Sequence, residues 1–326
     1  MHKLPSRRPM VEQLETRTTP AVTASLSAAG VLTFIGDSNN GGDYVNASDD
    51  GAGNISAFYG NFISGPNNFA TFSGVKKVVT TFAGNDQFSY DYTGANGGIH
   101  TTLDVTLGGG NDSCIITSPC PYTPFGNPVV DQSMNITVRA GDINNQGSAS
   151  DSAFILVNAI NDVDPGVNLN VKLYADPGSD TLEYAQYGGI GAGATVNLLE
   201  KGGSGQDFLF ANINPYCTGQ STLDGQFHWN LDAGSGNNST VEAIVNVTGG
   251  SAAGVTSSVH ISAGTGTGVT VIYSQTDPTN TVLANLHGNQ AGDTAFISIG
   301  SGNAPSAISG FPGGVFDPTI APGVDK

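Results

Sequence analysis

A single pattern recurs along most of the chain and constrains its fold more than any other feature. It consists of a short strand with alternating apolar residues, a glycine-rich turn that carries an acid or an amide, and a second apolar strand; residues 102–117, TLDVTLGGGNDSCIIT, are one example. The turns are centred on Asp86, Asp112, Asp151, Asp180, Asp207, Asn238, Gly268 and Asp293. These positions are 26, 39, 29, 27, 31, 30 and 25 residues apart, so the chain contains repeats of similar length.

The repeat length predicts the fold class. Sandwiches built from hairpins place a turn every ~8–12 residues, whereas a unit of about 27 residues with two or three short strands suits one coil of a solenoid. We therefore predict an all-β chain folded as a parallel β-solenoid, or β-helix, with coils of about 27 residues. The 39-residue step contains residues 118–128, SPCPYTPFGNP, whose prolines predict a loop outside the ladder. An antiparallel β-sandwich array is the alternative.

The composition agrees with a stacked fold and argues against two functional classes. Of 326 residues, 46 are glycine, which tight turns favour, and only 11% are charged, as expected where identical side chains would lie ~4.8 Å apart on successive coils. The net charge of −17 argues against a nucleic-acid partner, since binding to phosphate needs basic side chains. The sequence has no run of ~18 apolar residues, so no membrane-spanning helix is predicted.

Charge and composition divide the chain into three segments. Residues 1–20 contain four of the ten basic residues and are predicted to be a basic export or sorting segment. Residues 21–299 carry the repeats and are predicted to form the solenoid. Residues 300–326 contain six glycines and four prolines, a composition typical of a flexible tail.

The first segment resembles a known sorting motif. Residues 7–21, RRPMVEQLETRTTPA, are similar to the LE-x-R-T-x-P motif near the N-terminus of many exported proteins of planctomycete bacteria. The resemblance rests on Leu14, Glu15, Arg17, Thr18 and Pro20. It implies an extracellular or cell-surface location and no particular activity. The alternative is an arbitrary basic tail.

The turns resemble those of another family. Residues 202–210, GGSGQDFLF, match every position of the nonapeptide G-G-x-G-x-D-x-U-x, where U is a large apolar residue. This nonapeptide is the motif of calcium-binding RTX-type β-rolls. The core G-x-D-x-U occurs at four further places, with its aspartate at Asp43, Asp86, Asp112 and Asp180. The motifs occur about once per coil and never in tandem, so the resemblance covers the turn chemistry and neither the fold nor the repeat length of that family.

Stacked turns of this kind predict a metal site. Two carboxylates ~4.8 Å apart repel by about 0.9 kcal/mol even in water, and a shared Ca²⁺, which takes six to eight oxygen ligands, would relieve that repulsion. Asp180 with Asp207 is the first candidate pair and Asp86 with Asp112 the second, with Asp43 as a further candidate ligand. The alternative is that each aspartate caps its own turn through a local hydrogen bond.

The three cysteines leave the redox chemistry open. Cys114 and Cys120 flank the start of the proline-rich loop and could close it as a small disulfide ring, while Cys217 could pair with either or remain free. Three thiols do not make a disulfide framework, and the chain has no C-x-x-C motif, so a zinc site is not predicted.

Two functional classes are consistent with these sequence features. We predict an exported structural or adhesive β-solenoid at the cell surface, stiffened by Ca²⁺, with surface polysaccharides or other surface proteins as partners. The alternative is a polysaccharide lyase or hydrolase on a right-handed β-helix, with Glu183 and Glu200 as acid and base. Arg139, Lys172 and Lys201 would then lie along one side of successive coils.

Overall fold

The computed structural model describes most of the chain outside its two ends. The described residues are 22–36, 42–62, 67–93, 102–118, 129–130, 133–141, 151–159, 162–163, 165–214, 223–247, 255–276, 281–299 and 305–316. Within these ranges the chain is all-β, and no helix in them is long and apolar enough to cross a membrane. The predicted sorting segment, residues 1–20, lies outside the described residues.

Two large sheets account for almost all of the strands. Sheet A contains, in spatial order, β1 (Val22–Leu26), β2 (Val31–Gly36), β6 (Lys77–Thr81), β8 (Thr102–Thr106), β11 (Met134–Arg139), β14 (Asn168–Tyr174), β16 (Thr195–Lys201), β18 (Gln226–Asp232), β20 (Thr256–Ser262), β22 (Thr281–His287) and β24 (Ala307–Ser309). Sheet B contains β5 (Asn68–Ser73), β4 (Asn54–Asn61), β3 (Asp43–Asp49), β7 (Gln87–Tyr92), β9 (Asn111–Ser118), β12 (Ser152–Ala159), β15 (Thr181–Gln186), β17 (Phe208–Ile213), β19 (Thr240–Val245), β21 (Thr270–Gln275), β23 (Thr294–Ile299) and β25 (Gly314–Phe316).

The order of the strands confirms the prediction of a parallel β-solenoid. Each coil supplies one strand to sheet A and the next to sheet B, and strands of successive coils pair in parallel. From β14 to β22 the register partners are 27, 31, 30 and 25 residues apart, in agreement with the repeat length of the sequence. A short third ladder joins β10 (Val129–Val130) to β13 (Asp162–Val163) and continues through single bridges to Ile190 and Leu223.

The N-terminal end of the solenoid departs from the simple repeat. Strands β1 and β2 pair antiparallel, and so do β3, β4 and β5. The hairpin formed by β4 and β5 lengthens this coil, so that Val31 in β2 pairs with Lys77, which is 46 residues further along the chain. This insertion was not predicted from the sequence pattern.

The C-terminal end extends further than the predicted boundary at residue 299. Strand β24 pairs with β22, and β25 pairs with β23, so residues 307–309 and 314–316 add a last short coil inside the segment predicted as a flexible tail. Backbone pairing with the preceding coil organises this stretch despite its glycine and proline content.

The core is a set of columns between the two sheets. Alternation along each strand turns every second side chain inward, and parallel pairing places the inward side chains of successive coils above one another. One column of sheet B comprises Phe88, Cys114, Ile155, Leu182, Leu209, Val241 and Val271, all fully buried. Each large apolar side chain of this kind contributes about 1.5–3 kcal/mol to folding, which makes the columns the main source of stability.

Cys114 belongs to this core column and is a free thiol. Burial, and then the negative charge of Asp112, raise the pKa of this thiol, so it stays protonated and unreactive. The predicted ring between Cys114 and Cys120 is therefore not formed in the structure, because Cys114 points into the core. Cys120 and Cys217 lie outside the described residues, as does the predicted loop from residue 119 onward.

Candidate functional site: the aspartate column

The predicted site residues lie at the corner where each coil passes from sheet A to sheet B. One register position, at the start of each sheet B strand or just before it, is equivalent on successive coils. From the N-terminal end this position holds Asp43, Asp86, Asp112, Ala153, Asp180, Asp207, Ser239, Val269 and Asp293. We call this set the aspartate column. It brings together all five aspartates predicted from the sequence.

From Asp86 onward, each aspartate of the column connects its coil to the previous one. The Oδ1 atom of Asp112 accepts the backbone N–H of Asp86 at 2.8 Å, and Asp86 does the same for Asp43. Asp207 accepts the N–H of Asp180 at 3.1 Å in the same way. Each carboxylate thus holds a turn N–H that sheet pairing leaves unused, much as a side chain caps a helix.

A second bond ties the aspartate to its own turn. The Oδ2 atom of Asp207 accepts the N–H of Gly203 at 2.8 Å, and Oδ2 of Asp180 accepts the N–H of Asp176 at 2.9 Å. Both bonds span four residues. The structure therefore realises the capping arrangement, which was the alternative expectation from the sequence, and adds a link to the neighbouring coil.

The glycine and the apolar residue of the G-x-D-x-U motif are also explained by the packing of the turn. A Cβ atom at Gly205 would lie 1.4 Å from the carbonyl oxygen of Gly178 on the previous coil, so only glycine permits this close stacking of turns. The apolar residue two positions after the aspartate is the first inward side chain of the sheet B strand. Leu182 and Leu209 occupy this place and are fully buried.

Three positions of the column, held by Ala153, Ser239 and Val269, differ from the turn centres predicted from the sequence. Asp151 is a turn centre in the sequence pattern, but Ala153 occupies the column on that coil, and Asp180 Oδ1 accepts its N–H at 2.7 Å. Ser239 takes the place of an aspartate, since its Oγ accepts the N–H of Asp207 at 3.1 Å. A short oxygen-bearing side chain just before an apolar strand was the available signal for Ser239.

Burial makes the column carboxylates hard to ionise. Desolvation, and then the charge of Asp86, raise the pKa of Asp112 to about 8. Desolvation raises the pKa of Asp207 to about 6. For Asp180, desolvation followed by the negative charge of Asp176 raises the pKa. The Oδ2 atom of Asp112 is buried and has no hydrogen-bond partner among the described residues.

The column offers only part of a calcium coordination shell. In the described residues there is no group of three or more His, Cys, Asp or Glu side chains placed to hold a metal ion. Both oxygens of Asp180 and of Asp207 already accept backbone N–H groups, so a cation at this pair would share each oxygen with one of those bonds. Asp112 differs, because its Oδ2 is uncommitted.

A groove crosses the outside of the corner. Its volume is about 680 Å³, and it spans four coils. On each coil the column residue points inward, so its two chain neighbours point outward and line the groove. The lining pairs are Asn85 and Gln87, Asn111 and Ser113, Ser152 and Phe154, and Ser179 and Thr181. Gly42, Phe62 and the column residues Asp86, Asp112 and Ala153 complete the lining.

The two glutamates predicted as an alternative acid–base pair do not share an accessible surface. Glu200 points inward from β16, in register with Leu173 and Leu231, and is fully buried. Neither of its carboxyl oxygens has a hydrogen-bond partner among the described residues. Burial, and then the charge of Glu183, raise the pKa of Glu200 well above its usual value. Glu183 lies on the outer face of sheet B, so a polymer substrate in solvent cannot reach both.

The basic side chains considered with those glutamates lie on the outer face of sheet A. Arg139 and Lys201 share one register column, with Lys172 two residues away along its strand. Arg139 Nη1 contacts Asp104 Oδ1 at 2.6 Å, and Lys77 Nζ contacts Asp104 Oδ2 at 3.3 Å. These partly exposed ion pairs contribute about 0–1 kcal/mol each and are on the opposite sheet from Glu183.

Together these observations define the class of the protein as a parallel β-solenoid with two main sheets and a hydrogen-bonded aspartate column at one corner. Comparisons with protein families, with curated proteins and with solved structures find no match to the chain.

Proposed function

We propose that this protein is an exported, rigid β-solenoid with a structural or adhesive role at the cell surface. The observation that carries this proposal is the unbroken parallel stack from β2 to β24 in sheet A, matched from β3 to β25 in sheet B. Nine steps of ~4.8 Å make sheet A about 43 Å long between these strands. Each coil is held to its neighbours along both sheets and at the corner, which gives a stiff rod.

The chemistry of the surface supports a binding role over a catalytic one. One of the two glutamates considered for catalysis is buried in the core, and only 11% of the chain is charged. A repeated, weakly charged surface suits repeated weak contacts with an extended partner. We propose surface polysaccharides or other surface proteins as that partner, and residues 1–20 as the segment that directs export.

The calcium site in this proposal is centred on Asp112. Its buried Oδ2 and the neighbouring Asp86 carboxyl would be the protein ligands, and Ca²⁺ would supply positive charge where two acids now lie on adjacent coils. The ion would link two coils and thereby stabilise the stack.

The location is tested in the cells that produce the protein. Intact cells are labelled with a biotin reagent that does not cross membranes, and the protein is then recovered and assayed for biotin. We expect labelling of the full chain and loss of labelling when residues 1–20 are deleted. Recovery of unlabelled protein from labelled cells, with a cytosolic protein as the control, would contradict the proposal.

A further inference from the structure

The groove over the aspartate column is lined by polar and aromatic side chains that a purely structural role does not require. We infer that it binds a neutral polysaccharide, with the sugar chain lying along the solenoid axis across four coils. The inference rests on the proposed surface role for its biological setting, since extended glycans are met outside the cell. It adds to that role a defined site and a class of ligand.

A set of uncommitted polar groups points to this ligand. The side chains of Gln87, Ser113, Ser179 and Thr181 line the groove and make no hydrogen bond to any described residue. They stand on three of the four turns that line the groove, so their amide and hydroxyl groups face one shared surface. Sugar hydroxyls both donate and accept hydrogen bonds, as amides and hydroxyls of this kind do.

Two aromatic rings in the groove support the same ligand class. Phe62 is 54% exposed and Phe154 is 38% exposed, and both line the groove. Phe62 also packs against Tyr44 with ring centroids 5.2 Å apart, which fixes its orientation. An exposed ring held in place offers a flat apolar surface, and the C–H face of a pyranose ring is its natural complement. A groove of this volume with a few polar groups is typical of a ligand site.

Charge and dimensions select a neutral ligand. The described residues that line the groove include no basic side chain, and the acidic groups beneath it belong to a chain of net charge −17, so an anionic polymer would be repelled. Four coils ~4.8 Å apart give a length of about 14 Å, enough for a short stretch of a sugar chain.

Native electrophoresis of the purified full chain tests this inference. The gels contain hydroxyethylcellulose, arabinoxylan or galactomannan as neutral polymers, or polygalacturonate as the anionic one. We expect retarded migration in at least one neutral polymer and none in polygalacturonate. Phe154→Ala and the double variant Gln87→Ala with Thr181→Val are expected to weaken the apparent affinity by about tenfold or more.

Controls separate binding from folding and from location. Phe296, 44% exposed on the outer face of sheet B and outside the groove, gives the matched variant Phe296→Ala, which is expected to migrate as the unchanged protein does. Melting curves check that each variant is folded; Gln87 and Thr181 can be changed without removing a side-chain hydrogen bond to any described residue. The assay uses purified protein, so a chain that binds glycan but stays inside the cell contradicts the surface role and leaves the groove assignment standing.

Three results would overturn the inference. One is the absence of retardation in all three neutral polymers. Another is retardation that Phe296→Ala reduces as strongly as Phe154→Ala does. The last is preferential capture of extended peptides from a display library, lost in the groove variants, which would make the groove a peptide site.

Discussion

Asp207 Oδ1 accepts the backbone N–H of Asp180 across 27 residues of sequence and one step of the solenoid. The same carboxylate accepts the N–H of Gly203 in its own turn, so a single side chain fixes the shape of one turn and its distance from the next. The repeated aspartates are thus explained by backbone hydrogen bonding before any ligand is considered.

Removal of this carboxylate is expected to destabilise the stack. Asp207→Ala leaves the buried N–H of Asp180 and the partly buried N–H of Gly203 without acceptors, and we expect the free energy of unfolding to fall by about 2–4 kcal/mol. Asp224→Ala is the matched control, because Asp224 is exposed and its side chain makes no hydrogen bond among the described residues. Urea denaturation followed by circular dichroism measures both. Equal free energies of unfolding for the two variants would show that the hydrogen bond between the coils does not stabilise the fold.

Close stacking of glycines gives a second prediction. Gly205→Ala places a Cβ atom 1.4 Å from the carbonyl oxygen of Gly178, and the two coils must separate to admit it. We expect a loss of several kcal/mol, on the scale of severe overpacking. Gly74→Ala is the control, since nothing lies within 4 Å of its Cβ and only its positive φ of 78° costs about 1–2 kcal/mol. If Gly205→Ala melts no lower than Gly74→Ala, the turns do not stack as described.

The buried glutamate gives a prediction of opposite sign. Glu200→Leu replaces an unpartnered carboxyl with a side chain that matches its register neighbours, Leu173 and Leu231. We expect the melting temperature at pH 7 to rise by several degrees, on the order of 1–3 kcal/mol, because the cost of burying a polar group disappears. Glu200→Gln is the control, since it keeps a polar group in the same place. A lower melting temperature for Glu200→Leu than for Glu200→Gln would contradict the placement.

The fold is expected to become less stable as the pH rises. The pKa of Asp112 is raised to about 8 and that of Asp207 to about 6, while both are ~3.9 in an unfolded chain. Between pH ~4 and pH 8 the folded state therefore binds more protons than the unfolded chain does. The stability that this proton binding contributes is complete below pH ~4 and is lost as the pH rises through 6 and 8. We expect the chain to unfold at lower urea concentration at pH 8.5 than at pH 5. Asp112→Asn should flatten this dependence, and an increase of stability with pH would contradict the burial of these acids.

The proposed calcium site is tested with variants of Asp112 and Asp224. Millimolar Ca²⁺ is expected to raise the melting temperature at pH 8, where the pKa of about 8 lets part of Asp112 ionise, and a chelator should reverse the rise. Asp112→Asn should abolish the effect, whereas Asp224→Ala should retain it. Identical melting curves with Ca²⁺, Mg²⁺ and chelator would rule out the proposed calcium site and leave the hydrogen-bonded column unchanged.

The parts of the fold that repeat could be predicted from the sequence. The 27-residue interval between Asp180 and Asp207 is the register interval between β15 and β17, and the apolar residues at the U position of the motif are core residues. These features follow from strand alternation and from turn chemistry, both of which are local.

The features that could not be predicted depend on tertiary register. Ala153 occupies the column although Asp151, two residues earlier, looks like the better turn residue. Glu200 follows two leucines, and only the alternation of β16 places it inward while Leu199 faces out. Whether a given acid holds a neighbouring backbone N–H or a metal depends on which groups the next coil brings beside it, and the sequence does not determine that.

The central claim is that coils stack in register, and distances between spin labels test it most directly. Labels on outward positions of one sheet B column, in the pairs Thr181 with Thr294 and Ser113 with Thr294, are four and six steps apart, with Cys120 and Cys217 replaced by Ser. Pulsed electron paramagnetic resonance should give separations near ~19 Å and ~29 Å, in proportion to the number of ~4.8 Å steps. Separations that do not grow with the number of coils between the labels would contradict the stacked solenoid.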